Sequence, residues 1–66
     1  MEVFIEKNNE TKKIILNKKV KLNKILDEMG ISLESVILVK NGEVCLEDEE
    51  VSNDDKIKLL SVVSGG

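Results

Sequence analysis

The chain has 66 residues, 13 acidic and 10 basic, for a net charge of −3; it has one cysteine, one aromatic residue, no histidine and no proline. That length accommodates one domain. It leaves no disulfide framework, no Cys/His zinc ligand set and no aromatic stacking platform for nucleic acid. No apolar run approaches the roughly 18–20 residues of a membrane span, and no signal-peptide pattern opens the chain. A lone cysteine suits a reducing compartment, so the expectation is a soluble, cytoplasmic monomer that binds neither membrane nor nucleic acid nor metal.

The basic residues are all lysines. Lys12, Lys13, Lys18, Lys19, Lys21 and Lys24 fall in the first half, whereas Glu47, Asp48, Glu49, Glu50, Asp54 and Asp55 fall in the second. Both clusters read as solvated surface. The acidic run lacks the spacing of a calcium loop; a further role for it is steering toward a basic partner.

Residues 2–6 alternate as a strand, with Val3 and Ile5 on one face and Glu2, Phe4 and Glu6 on the other. Asn8-Asn9 signals a turn. Residues 12–16 then read as a second strand whose Ile14 and Leu16 face Val3 and Ile5. Leu22, Ile25, Leu26 and Met29 fall at i, i+3, i+4 and i+7, one apolar stripe on a helix over residues 21–29. Gly30 stands at the position of a left-handed stop, with Ile31 packing back. The helix start is poorly marked, because Lys21 occupies the place of a Ser, Thr or Asp cap.

Val36-Ile37-Leu38-Val39 is a continuous aliphatic run, read as a third strand. Its facing stays open: either Leu38 or the Ile37/Val39 pair adds to the apolar patch on the open sheet face. Asn41-Gly42 marks a tight hairpin turn and Val44-Cys45-Leu46 a short return strand. Cys45 has no histidine to activate it and reads as a structural strand residue. Residues 47–50 read as loop and 52–55 as a turn. Residues 57–63 form the last strand, ahead of Ser64-Gly65-Gly66.

The order β-β-α-β-β-β places one amphipathic helix against a mixed sheet of four to five strands, in an α+β fold of the β-grasp, or ubiquitin-like, kind. The last strand lies beside the first, in parallel. The expected core is Val3, Ile5, Ile14, Leu16, Leu22, Ile25, Leu26, Met29, Ile57 and Leu59, each worth about 1.5–3 kcal/mol when fully buried. Residues 1–62 form the domain and residues 63–66 a flexible reactive tail. Phe4, Leu60 and Val62 point away from the helix and form an apolar patch contiguous with that tail, the mark of a docking site.

A terminal Gly-Gly arises by chance in roughly 0.5% of chains at average glycine usage. Without a Cβ such a tail is thin and adopts backbone angles closed to other residues, so it can thread a narrow channel and present a carboxylate.

With this order the chain resembles the ThiS/MoaD-like sulfur-carrier family of small ubiquitin-like proteins. The resemblance rests on Ile25-Leu26-Asp27-Glu28-Met29-Gly30-Ile31, on Val39-Lys40-Asn41-Gly42-Glu43-Val44 and above all on residues 54–66, which run through Ile57-Lys58-Leu59-Leu60 to Gly65-Gly66. Asp54 stands where the family often has glycine, and Ser61-Val62 where many members have two prolines. The resemblance implies a carrier and not an enzyme. An E1-like partner, holding ATP and magnesium, adenylates the carboxylate of Gly66. The acyl-adenylate becomes a thiocarboxylate that serves thiamin, molybdenum or tungsten cofactor, or tRNA thiolation, through a sulfur donor and a downstream synthase or thiolase-type acceptor. Gly65 is the slim spacer, and Phe4, Leu60, Val62, Val63, Ser64 and Gly65 contact the partner. This chain itself binds no cofactor and contributes no catalytic residue. Two alternatives stand beside this one: a ubiquitin-like modifier joined to lysines through Gly66, and a non-reactive β-grasp interaction module.

Overall fold

The computed structural model describes residues 1–62. Strands β1 (Glu2–Ile5) and β2 (Glu10–Lys13) form an antiparallel hairpin. A two-residue strand β3 (Val20–Lys21) leads into helix α1 (Leu22–Glu28). Then come β4 (Val36–Lys40), β5 (Glu43–Val44), β6 (Glu50–Val51) and β7 (Lys56–Ser61). The main sheet has five strands in the order β2-β1-β7-β4-β5, and β3 and β6 make a separate two-stranded sheet. β1 and β7 run parallel at the centre of the main sheet; every other pairing in it is antiparallel.

The helix covers one face of the sheet. Leu22, Ile25 and Leu26 pack on Val3, Ile5, Leu38, Ile57 and Leu59. The alternation of β1 and β7 and the helical stripe therefore point inward as their spacing requires. Met1, Leu38 and Val51 join this core beyond the residues expected, whereas Ile14, Leu16 and Met29 lie half-buried at its margin.

Helix α1 ends as its glycine dictates. Gly30 adopts φ +72°. Its N–H donates to Asp27 O at 3.1 Å and the Ile31 N–H donates to Leu26 O at 3.0 Å, the paired bonds of a Schellman stop. The start is held differently. Lys21 makes no side-chain cap bond. Instead the Leu22 N–H donates to Glu49 O at 2.9 Å and the Asn23 N–H to Glu47 O at 2.8 Å. The acidic segment thus supplies backbone carbonyls to helix donors that would otherwise lack a partner.

The second strand differs from its expected span of 12–16. The chain leaves β1 through a 3-10 turn, Glu6–Asn8, and Asn9 in the left-handed region at φ 49°. Pairing therefore resumes at Glu10, and turn geometry sets the register. Lys12 and Glu10, not Ile14 and Leu16, stand opposite Val3 and Ile5. Ile14 pairs instead with Met1 through two backbone hydrogen bonds, 2.7 and 2.8 Å long. Leu16 lies past the strand, where its backbone N–H and C=O both bond to the Asn53 side-chain amide.

The β4–β5 turn forms where Asn41-Gly42 marked it, with φ 52° and 88°, the two positive values of a type I′ hairpin. The return strand is shorter than expected, Glu43–Val44, although the Cys45 N–H still donates to Leu38 O at 2.9 Å. Glu50, expected in a loop, enters β6 with Val51, because pairing with Val20–Lys21 satisfies both backbones and buries Val51.

Candidate functional site

The pairing of β4 with β7 decides the facing that its aliphatic run left open. Leu38 stands opposite Leu59, under the helix; Ile37 stands opposite Leu60, on the open face. Val39 shares that open face and pairs with Val44 on β5. Phe4 lies in register with Thr11 on one side and Lys58 on the other. A row therefore crosses the sheet from Phe4 through Lys58 and Val39 to Val44, and a second row joins Leu60 to Ile37.

Phe4 and Leu60 are half-buried and Val62 is 48% exposed. The structure thus brings Phe4 and Leu60 together on one face, with Val62 at the exit of β7. It selects Ile37, 42% exposed, from the alternatives the sequence left open, and adds Val44, 76% exposed, which the sequence did not single out. The Asn-Gly turn held the missing signal, since a two-residue hairpin puts Val39 opposite Val44. Lys58 is the charge set within this apolar surface. Val63, Ser64, Gly65 and Gly66 lie outside the described residues.

The exit of β7 is anchored on both sides. The Ser61 N–H donates to Glu6 Oε1 at 2.9 Å, and the Val62 N–H donates to Ser35 O at 3.1 Å. Val62, the last described residue, is therefore held at one end of the apolar face.

Cys45 is half-buried against the core margin. Burial, then the nearby Glu49 carboxylate, pushes its thiol above the usual value, with Lys40 opposing. Such a thiol stays protonated and is a poor nucleophile. In the acidic segment, Glu49 accepts the Leu46 N–H at 2.9 Å and pairs with Lys40 at 3.3 Å, and these contacts hold its carboxyl below the ordinary range. Among the described residues, no group of three or more His, Cys, Asp or Glu side chains is arranged to hold a metal ion. Nor is any helix there long and apolar enough to cross a membrane.

A mixed five-stranded sheet with a central parallel pair, one helix across one face and an apolar opposite face defines a β-grasp, ubiquitin-like domain. The fold matches the crystal structure of the thiamine biosynthesis protein ThiS from Geobacter metallireducens, with a TM-score of 0.68 over the whole of both chains at 20% identity. The chain belongs to the ThiS family, whose model its sequence matches over residues 2–66. It is also 36% identical over 45 residues to the sulfur carrier protein TtuB of Thermus thermophilus, covering 68% of this chain and 69% of that protein.

Proposed function

We propose that this protein is a sulfur carrier whose reacting group is the carboxylate of Gly66. The observation that supports it most directly is the course of β7. One strand places Leu60 on the open apolar face and then leads, past a held Val62, to Gly65-Gly66. A partner gripping that face takes the tail into its own site in the same act. Membership of the ThiS family and likeness to a named sulfur carrier support the same reading.

A carboxylate is a weak electrophile, so activation comes first. One oxygen of the Gly66 carboxylate attacks the α-phosphorus of ATP and pyrophosphate leaves, giving an acyl-adenylate. The outer sulfur of a persulfide on a donor protein then attacks the acyl carbon and AMP leaves, giving an acyl disulfide. A second thiol attacks the donor's inner sulfur, forming a disulfide with it and releasing the Gly66 thiocarboxylate. The E1-like partner holds ATP and magnesium. This chain contributes the docking face, the slim Gly65 spacer and the free carboxylate, and no acid–base residue. The thiocarboxylate then passes its sulfur to an acceptor enzyme.

Intact-mass measurement tests this directly. The full chain is incubated with ATP, the E1-like enzyme of its own organism and a sulfur source. Replacement of one oxygen by one sulfur is expected, and it should vanish when one alanine is added after Gly66. Adducts on lysines of other proteins, lost when Gly66 is deleted, would assign the carboxylate to protein modification instead. No mass change with any E1-like enzyme of that organism would reduce the domain to an interaction module.

A further inference from the structure

The helix side of the domain carries a second surface, remote from the open sheet face. A groove of about 660 Å³ runs between α1 and the segment joining β2 to β3. Ile25 and Met29 of the helix form part of its floor, and Ile15 stands on its wall, 87% exposed. Lys18, Lys19, Lys21 and Lys24 line it as well, against two carboxylates, Glu28 and Glu50. Among the described residues none of these lysines is in an ion pair; the pairs formed are Lys12–Glu10 and Lys40–Glu49.

Four lysines at one cleft of a chain with net charge −3 repel one another, a cost that a counter-charged partner removes. Beside them lies apolar surface that a partner must also cover. We propose that this groove docks an acidic, amphipathic segment of a partner protein, with apolar side chains entering over Ile15, Ile25 and Met29 and carboxylates meeting Lys18, Lys21 and Lys24. The groove is concave, so a flat bilayer does not fill it, and it has no arginine or aromatic side chain to read a nucleic acid. Because it lies on the helix side, it can be occupied while the open sheet face is engaged.

The test uses the full chain labelled for NMR and a synthetic amidated peptide with leucines at i, i+4 and i+7 and glutamates between them. The peptide is expected to shift the amide resonances of residues 15–29 and to leave those of Phe4 and Leu60 in place. The double variant Lys18→Glu/Lys24→Glu should weaken binding about tenfold at low salt, as should replacing the glutamates by glutamine. Circular dichroism of the variant controls for folding, and its activation by the E1-like enzyme should match that of the parent chain. The proposal is overturned if millimolar peptide shifts no groove resonance, or if the glutamine peptide binds equally well. It is also overturned if the double variant loses activation, which would make the groove part of the E1-like interface. Tighter lysine-dependent binding of a single-stranded oligonucleotide or of phosphatidylserine vesicles would reassign the surface, and so would a lysine-dependent dimer in sedimentation equilibrium.

Discussion

Ile37 on β4 stands directly opposite Leu60 on β7, and both face away from the helix. Side chains paired in this way are close neighbours, so the two form one apolar spot beside Phe4 at the end of the sheet from which the tail departs.

This pair supports a prediction about partner binding. Leu60→Glu or Ile37→Glu places a charge on the docking face without entering the core. Each should alter folding stability by less than about 1 kcal/mol and reduce kcat/KM for activation by the E1-like enzyme about tenfold or more. Steady-state activation kinetics, run beside urea unfolding, would show both effects. Full activation of both variants would remove this face from the interaction.

The core responds in the opposite way. Leu26 is fully buried at 0% exposure. Leu26→Ala should cost about 3 kcal/mol, from lost transfer energy and the cavity left behind. A domain of this size has about 3–10 kcal/mol in total. The urea midpoint should therefore fall by a third or more with its slope unchanged, and a shift under a tenth would mean that the helix packs elsewhere.

Gly30 tests the helix stop in isolation. A Cβ built there meets nothing within 4 Å, yet φ is +72°. The penalty for Gly30→Ala is therefore backbone strain without a clash, about 1 kcal/mol, and Gly30→Asn should cost less. If alanine and asparagine cost the same in thermal unfolding, left-handed strain is not the cause.

Asp55 links stability to acid. It accepts hydrogen bonds from Asn41 Nδ2 and from the Ser52 N–H, both 2.8 Å long, and these hold its carboxyl below the ordinary range. The folded chain thus keeps the carboxylate at pH values where the unfolded chain protonates it. The contribution is complete above the ordinary carboxylate pKa of about 3.9 and is lost as the pH falls through the lower folded value. Urea midpoints between about pH 6 and pH 2 should decline less steeply for Asp55→Asn than for the parent chain. Parallel declines would assign the acid sensitivity to other carboxylates, Glu49 among them.

Much of this was legible in the residues, because local periodicity carries it. Val3 and Ile5 alternate, Leu22, Ile25 and Leu26 repeat at helical spacing, and Asn41-Gly42 and Gly30 supply the positive φ angles that their positions require. Each signal depends on residues near in sequence. The β2 register was not legible, because it depends on how Glu6–Asn8 and Asn9 turn the chain. Val51 gave no periodic signal at all: it is one apolar residue after an acidic run, buried only because β6 meets β3.

Sequence alone therefore determined the order of the helix and the five main-sheet strands, most of the core and the Gly65-Gly66 pair, but not the small β3–β6 sheet, since spacing and backbone preference act over a few residues. Tertiary structure decided which face of the aliphatic run at residues 36–39 turns inward. Every residue there is apolar, so only pairing with Leu59 and Leu60 across β7 distinguishes Leu38 from Ile37. It also decided how an uncapped helix begins, because the carbonyls of Glu47 and Glu49 reach Asn23 and Leu22 only once the chain has folded back over the helix start.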